Sequence, residues 1–291
     1  MPRFDYQAPT DLKEAIALLS GGATALAGGT DLMVKMKRGL ARPHQVVSLQ
    51  RIEGLKEIVV SANGVARIGA LTTMAEIARH PLLSRNSLLA LTEGANSVGG
   101  ALIRNRATVG GNIVNARPCA DTVAPLLALG ANLIIDGPGG RRTRPIEGFI
   151  TGPGKTSLLA GEILVAVEIP PPEGSGSCYI KITRRAVMEI TIAGCAVSAA
   201  LERDGRTIRQ VRMALTSVAS TPLVVEGLEK RFAGRVADDA ALQEAAAMAR
   251  QSAHPIDDHR APAEYRSEVI EVIARRALRL ALERAGGGKR K

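Results

Sequence analysis

Two glycine pairs constrain this chain more than any other feature. Gly28-Gly29 follows a short apolar run from Ala23 to Ala27, and Gly110-Gly111 lies inside Thr108-Val109-Gly110-Gly111-Asn112. Glycine tolerates left-handed backbone and lets a ligand approach the main chain, whose N–H groups can meet a pyrophosphate. The hydroxyls of Thr30 and Thr108 and the amide of Asn112 would add hydrogen bonds. Two ordinary turns would look the same, and spacing alone leaves both readings open. The usual dinucleotide fingerprint, GxGxxG after a strand, is missing, so no Rossmann fold is inferred. Gly152-Pro153-Gly154-Lys155-Thr156 has the end of a phosphate-binding loop, but its required first glycine falls at Phe149. Lys155 therefore reads as structural or solvent-facing.

Around these pairs the patterning alternates between short strands and helices. Leu12, Ala15, Ile16 and Leu19 predict a helix that begins near Thr10 or Asp11 and stops at Gly21-Gly22. Asn63-Gly64 predicts a hairpin between strands 57–60 and 65–69. Helices are expected at 72–79, 84–94 and 121–129, strands at 133–135 and 163–169, and a turn at Gly137-Pro138-Gly139-Gly140. Pro170-Pro171-Pro172 and Gly174-Ser175-Gly176-Ser177 mark the clearest boundary. Beyond it come strands 178–185, 193–202 and 207–216 with a turn at Asp204-Gly205, then helices 222–232, 238–250 and 263–285. A sheet followed by packed helices is an α+β arrangement. The expected division is 1–172, in two parts of about 1–55 and 56–172, then 177–285, then a flexible basic tail at 286–291.

Composition narrows the function. The 291 residues suffice for a sizeable core, and no apolar run is long enough to cross a bilayer. The opening MPRFDYQAPT lacks the basic-then-apolar pattern of a secretory signal, so a cytoplasmic location is expected. Cys119, Cys178 and Cys195 are widely spaced and form neither a disulfide framework nor a metal motif. His254 and His259 beside Asp257-Asp258 make a poor ligand set, while His44 and His80 lack a base–orienter partner. There is no GxSxG nucleophile. The net charge of +10 invites nucleic acid, but aromatics are only 2% and the basic residues are dispersed, save Lys289-Arg290-Lys291. An acidic partner subunit or a pyrophosphate cofactor suits the charge equally well. Asp121 and Glu189 read, from sequence alone, as caps or surface groups.

Longer stretches then match a known family. AGGTDLMVKMKRG (27–39) and IRNRATVGGNIVNARPCADTVAPLLALGAN (103–132) resemble the two FAD-binding motifs of the medium subunits of molybdenum hydroxylases, the xanthine dehydrogenase and carbon monoxide dehydrogenase family. IGALTTMAEIARHPLL (68–83), GPGKTSLLAGEILVAVEIP (152–170), YIKITRRAVMEITIAGCAVSAAL (179–201) and EYRSEVIEVIARRAL (264–278) resemble the segments between and after them, in the same order.

The resemblance implies a non-Rossmann FAD-binding fold of the vanillyl-alcohol oxidase and p-cresol methylhydroxylase type, followed by a smaller α+β C-terminal domain. It implies that Ala27, Gly28, Gly29, Thr30, Asp31 and Leu32, with Thr108, Val109, Gly110, Gly111 and Asn112, cradle the pyrophosphate and ribityl. Asp121 matches an acidic position that hydrogen-bonds the cofactor, Leu164 and Lys181 match positions beside the isoalloxazine, and Tyr179 matches a tyrosine near the ring. FAD would carry the redox chemistry here. A large partner subunit would hold the molybdenum cofactor, a small one the [2Fe–2S] clusters, and an external acceptor would receive the electrons. Two departures stand out: Glu189-Ile190-Thr191 where relatives carry Asp before Ile-Ala, expected to affect placement near the flavin, and Met74 in place of a histidine, expected to alter a partner-facing surface. The absence of a cysteine-rich insertion after the second motif disfavours the hydroxybenzoyl-CoA reductase branch. The alternatives are a stand-alone FAD-dependent reductase of the same fold, akin to UDP-N-acetylenolpyruvoylglucosamine reductase, and a basic scaffold without cofactor.

Overall fold

The structure, a computed structural model, describes residues 3–170 and 174–287. The prolines of the expected boundary at 171–172 and tail residues 288–291 lie outside the described residues. The chain opens with β1 (Asp5–Gln7), α1 (Leu12–Ser20), β2 (Thr24–Leu26), α2 (Leu32–Lys37) and β3 (Gln45–Ser48). The strands form a small parallel sheet, ordered β1-β3-β2. The expected first helix is present because Leu12, Ala15, Ile16 and Leu19 share one face, which packs with Val47 and Leu49. β1, α2 and β3 were not foreseen, since three to six residues are too few to show a period.

A larger layer follows: β4 (Ile58–Val60), β5 (Ala66–Gly69), α3 (Met74–Arg79), α4 (Leu89–Ser97), α5 (Ala101–Arg104), α6 (Val109–Val114) and α7 (Val123–Ala128). It continues with β6 (Asn132–Asp136), β7 (Arg142–Pro145), β8 (Ile150–Gly152), β9 (Lys155–Thr156) and β10 (Ile163–Ile169). Five of these strands make an antiparallel sheet ordered β4-β5-β10-β6-β7. The β4–β5 hairpin turns at Asn63-Gly64, with Gly64 at φ +84°. β10 is central and covered on both faces, which explains its unbroken apolar run. Leu164, Val167 and Ile169 enter one core, while Ile163, Val165 and Ala166 enter the other. Val165 and Ala166 share a side because a bulge interrupts the β10–β6 register between Leu164 and Ala166.

The C-terminal part contains β11 (Ser175–Ile182), β12 (Ala193–Leu201), β13 (Ile208–Thr216), β14 (Leu223–Val224), α8 (Leu228–Phe232), α9 (Asp239–Ser252) and α10 (Ala263–Ala285). The strands form an antiparallel sheet in sequence order. Cys195, Val197 and Ala199 pack with α9 and α10, whereas Tyr179, Ala196 and Ala214 join the core shared with α4 and α7. This alternation lets one sheet serve two cores.

Three expectations need correction. Ser175 to Ser177 are not linker but the start of β11, and Gly176 is bare because a Cβ there would come 2.1 Å from the Ala281 carbonyl oxygen on α10. The strand expected to reach 185 ends at Ile182. The helix expected at 222–232 is instead β14 and a short α8 that starts after Gly227, which stands at φ +75°.

Candidate functional site

A cleft of about 360 Å³ opens between the β2–α2 segment, the approach to α6, and the chain leading into β10. Ala27 to Leu32, Thr108, Gly110, Gly111, Asn112 and Leu164 all line it. Sequence regions far apart in the chain thus share one wall system. Leu164 arrives there at the β10 bulge, a local re-aiming that strand alternation would not foretell.

The first glycine motif is an open loop. Gln50 Nε2 donates to the Ala27 carbonyl at 3.0 Å and fixes its start. Gly29 turns the chain at φ +77°. Gly28 is required by the protein itself, since a Cβ there would lie 1.9 Å from the Arg106 carbonyl oxygen. Among the described residues, the backbone N–H groups of Gly28, Gly29, Thr30, Asp31 and Leu32 meet no protein acceptor. Unpaired main-chain donors beside a cleft form an anion cradle, because only water or a ligand can satisfy them.

The second motif works differently from the expectation that it too would cradle phosphate with N–H groups. It is the first turn of α6, capped by Thr108, whose hydroxyl accepts from Gly111 N–H at 3.1 Å. The N–H of Val109 donates to Thr72, that of Gly110 to Ala70, and that of Asn112 to Thr108. All four donors are consumed. Gly110 is bare because a Cβ would meet the Ala70 carbonyl oxygen at 2.7 Å. Val109 is fully buried in the core and does not line the cleft, since helical spacing turns 109 and 113 inward. Asn112 Oδ1 accepts from the Thr122 hydroxyl at 2.7 Å, so its amide nitrogen, with the Thr108 hydroxyl proton, is what this segment has left to donate.

Asp121, Tyr179 and Lys181 are brought together, but in their own buried cluster and not on the cleft wall. Asp121 Oδ1 accepts from the Tyr179 hydroxyl at 2.7 Å and the Thr191 hydroxyl at 2.6 Å, and Oδ2 from Lys181 Nζ at 2.8 Å. Lys181 also donates to the Ser97 carbonyl at 2.9 Å. Asp121 is thus neither a helix cap nor a surface group. Burial pushes the Tyr179 phenol well above its usual range, and the adjacent Asp121 charge adds to this. Glu189 is tied to Arg185 at 3.0 Å, and Thr191 joins the Asp121 cluster. Met74 is fully buried at the start of α3, so it is not part of a partner-facing surface.

Sequence reasoning missed Lys35, Asn115 and Glu162 on the cleft wall. Lys35 Nζ donates to Asn115 Oδ1 at 3.0 Å. Glu162 is gripped by Arg142 through two contacts of 2.7 Å, and this pairing holds its carboxyl below the usual range. Burial raises the thiols of Cys119 and Cys195, and that of Cys178 to about 12, so all three stay protonated at neutral pH.

A cradle of free N–H groups facing a glycine-packed helix, between a parallel and an antiparallel sheet, is the anion-binding cleft of a fold outside the Rossmann class. The family model described as "FAD binding domain in molybdopterin dehydrogenase" matches residues 2–172, and "CO dehydrogenase flavoprotein C-terminal domain" matches 178–281. The chain therefore belongs to the FAD-binding medium-subunit family of molybdopterin dehydrogenases, which are oxidoreductase subunits. It is 36% identical over 287 residues to the carbon monoxide dehydrogenase medium chain of Hydrogenophaga pseudoflava, covering 97% of this chain and 98% of that one. It is 35% identical over 286 residues to a putative xanthine dehydrogenase FAD-binding subunit of Escherichia coli K12, with 97% of each covered. The solved carbon monoxide dehydrogenase from Hydrogenophaga pseudoflava superimposes with a TM-score of 0.92 at 34% identity, over 97% and 98% of the two chains. The α+β, non-Rossmann expectation holds. Among the described residues, no helix is long and apolar enough to cross a membrane.

Proposed function

We propose that this chain is the electron-transfer subunit of a cytoplasmic, multi-subunit molybdenum-containing hydroxylase or dehydrogenase. FAD occupies the cleft, a small partner delivers electrons from [2Fe–2S] clusters, a large partner oxidises substrate at a molybdenum cofactor, and an external acceptor takes the electrons away. Residues 1–172 would form the FAD-binding domain and 177–285 the C-terminal domain. The observation that carries the reading is the row of unpaired N–H groups from Gly28 to Leu32 in the cleft.

The fit to FAD can be argued group by group. A pyrophosphate carries two negative charges, and the Gly28–Leu32 loop presents donors with no competing acceptor. Asn112 and Thr30 add side-chain hydrogen bonds at the same wall. Apolar Leu164, Val98 and Ile103 suit the aromatic part of a flavin and keep water from it. When bound, FAD supplies the redox chemistry itself, and the protein contributes placement and electrostatics. Lys181 and Asp121 form a charge-balanced pair that holds the C-terminal sheet against this half of the molecule. No side chain of this chain is assigned acid–base work on an organic substrate.

The test is the visible absorption spectrum of the purified chain, followed by denaturation and identification of the released flavin. A flavin band that releases intact FAD is expected. A folded protein that stays colourless after added FAD overturns the reading.

A further inference from the structure

Lys35 and Asn115 lie 80 positions apart in sequence and on opposite walls of the cleft, yet Lys35 Nζ donates to Asn115 Oδ1 at 3.0 Å. Lys35 belongs to α2, which continues directly from the loop of free N–H groups, and Asn115 caps the C-terminal end of α6. The partner is a neutral amide, so the ammonium keeps its full charge and two of its three donors. Among the described residues, Lys35 enters no ion pair. The other charges lining the cleft are Glu162, which is neutralised by Arg142, and the exposed Asp31. A cation that is aimed across a cleft by an amide and left without a counter-ion is arranged for an anionic ligand.

We infer that Lys35 is the positioning residue for the pyrophosphate of the cofactor, and that Asn115 holds its ammonium in the cleft until the ligand takes over. This rests on the proposed FAD site and adds to it a discrimination. The cleft should select a flavin dinucleotide over a phosphate-free flavin through one side chain beyond the Gly28–Leu32 loop. A flexible point charge suits this task, since it can shift from Asn115 to phosphate oxygen without moving the loop. A hydrogen bond to a charged group of this kind corresponds to roughly tenfold or more in affinity.

The experiment measures the dissociation constants of FAD, flavin mononucleotide and riboflavin for the deflavinated chain. It compares the natural protein with Lys35→Met, Lys35→Arg and Asn115→Ala, each first shown to melt like the natural protein. For Lys35→Met, FAD affinity should fall roughly tenfold or more, riboflavin affinity should not change, and the salt dependence of FAD binding should weaken. Lys35→Arg should recover most of the loss, and Asn115→Ala should show a smaller loss confined to the phosphorylated flavins. Equal losses for FAD and riboflavin would mean that Lys35 merely shapes the cleft, and unchanged FAD affinity would remove any role for it. Either result overturns the inference while leaving the FAD site intact. Failure of the natural protein to bind any of the three flavins overturns both.

Discussion

Lys181 Nζ lies 2.8 Å from Asp121 Oδ2, and this ion pair joins β11 of the C-terminal sheet to the loop that leads into α7. Both side chains are largely buried, at 14% and 10% exposure, and each compensates the other's charge. Replacing one member of a buried pair typically costs about 3 kcal/mol or more, since the remaining charge is stranded. Lys181→Met is expected to destabilise the chain by that order, as read by denaturant titration. With FAD bound, Lys181→Met should lower the flavin potential, because it leaves the Asp121 carboxylate unbalanced. Asp121→Asn should raise it by a comparable amount, since it leaves the ammonium unbalanced. Redox titration of the two variants decides the point, and shifts of the same sign would contradict it.

Gly28 and Gly139 predict opposite responses to the same change. A Cβ at Gly28 would overlap the Arg106 carbonyl oxygen at 1.9 Å, whereas one at Gly139 meets nothing within 4 Å. Gly28→Ala should destabilise by about 3 kcal/mol and release FAD, because the backbone must move at the cradle. Gly139→Ala should change stability by less than about 1 kcal/mol. Thermal melting and flavin retention of the two variants, side by side, provide the check.

The acid limb of stability should depend on Asp258. Burial pushes its carboxyl up, but the N–H groups of Arg260 and Ala261 and the Arg266 guanidinium outweigh that and hold it well below the ordinary 3.8. Arg266 is itself buried and also donates to the carbonyls of Ile192 at 2.6 Å and Ser217 at 3.1 Å. A depressed folded value means that this stabilisation is fully present above about pH 4 and is lost as pH falls through the folded value. Asp258→Asn should be less stable at neutral pH and should show a shallower decline in acid. Parallel pH titrations of the melting temperature would reveal equal slopes if the assignment is wrong.

Met74 offers a test of a position first read as surface. Its side chain is fully buried and packs in the main core, so Met74→Ala should lose about 3 kcal/mol through the cavity it leaves. Assembly with partner subunits, measured by co-purification below the melting temperature, should be unchanged. Weakened assembly without loss of stability would restore the surface reading.

Elements with a strong period or a strong turn were legible in the residues alone. α1, the hairpin at Asn63-Gly64, β10 and α10 all lie where patterning placed them, because each carries its own hydrophobic face or turn residue. Motif resemblance likewise placed both glycine segments, and Leu164, at one cleft. The division of labour there emerges only once the chain is packed. Gly28 and Gly110 are glycines because neighbouring backbone leaves no room for a Cβ, and those neighbours, Arg106 and Ala70, are remote in sequence or in role. Whether an N–H is free for a ligand depends on where every competing acceptor lies, so sequence could not tell the open Gly28–Leu32 loop from the satisfied Val109–Asn112 turn. The same holds for Asp121, whose three donors come from Tyr179, Lys181 and Thr191 on the other side of the boundary, and for Lys35, which finds Asn115 only once the two walls meet. Local pattern fixes how a segment folds, but hydrogen-bond satisfaction and burial are properties of the packed whole.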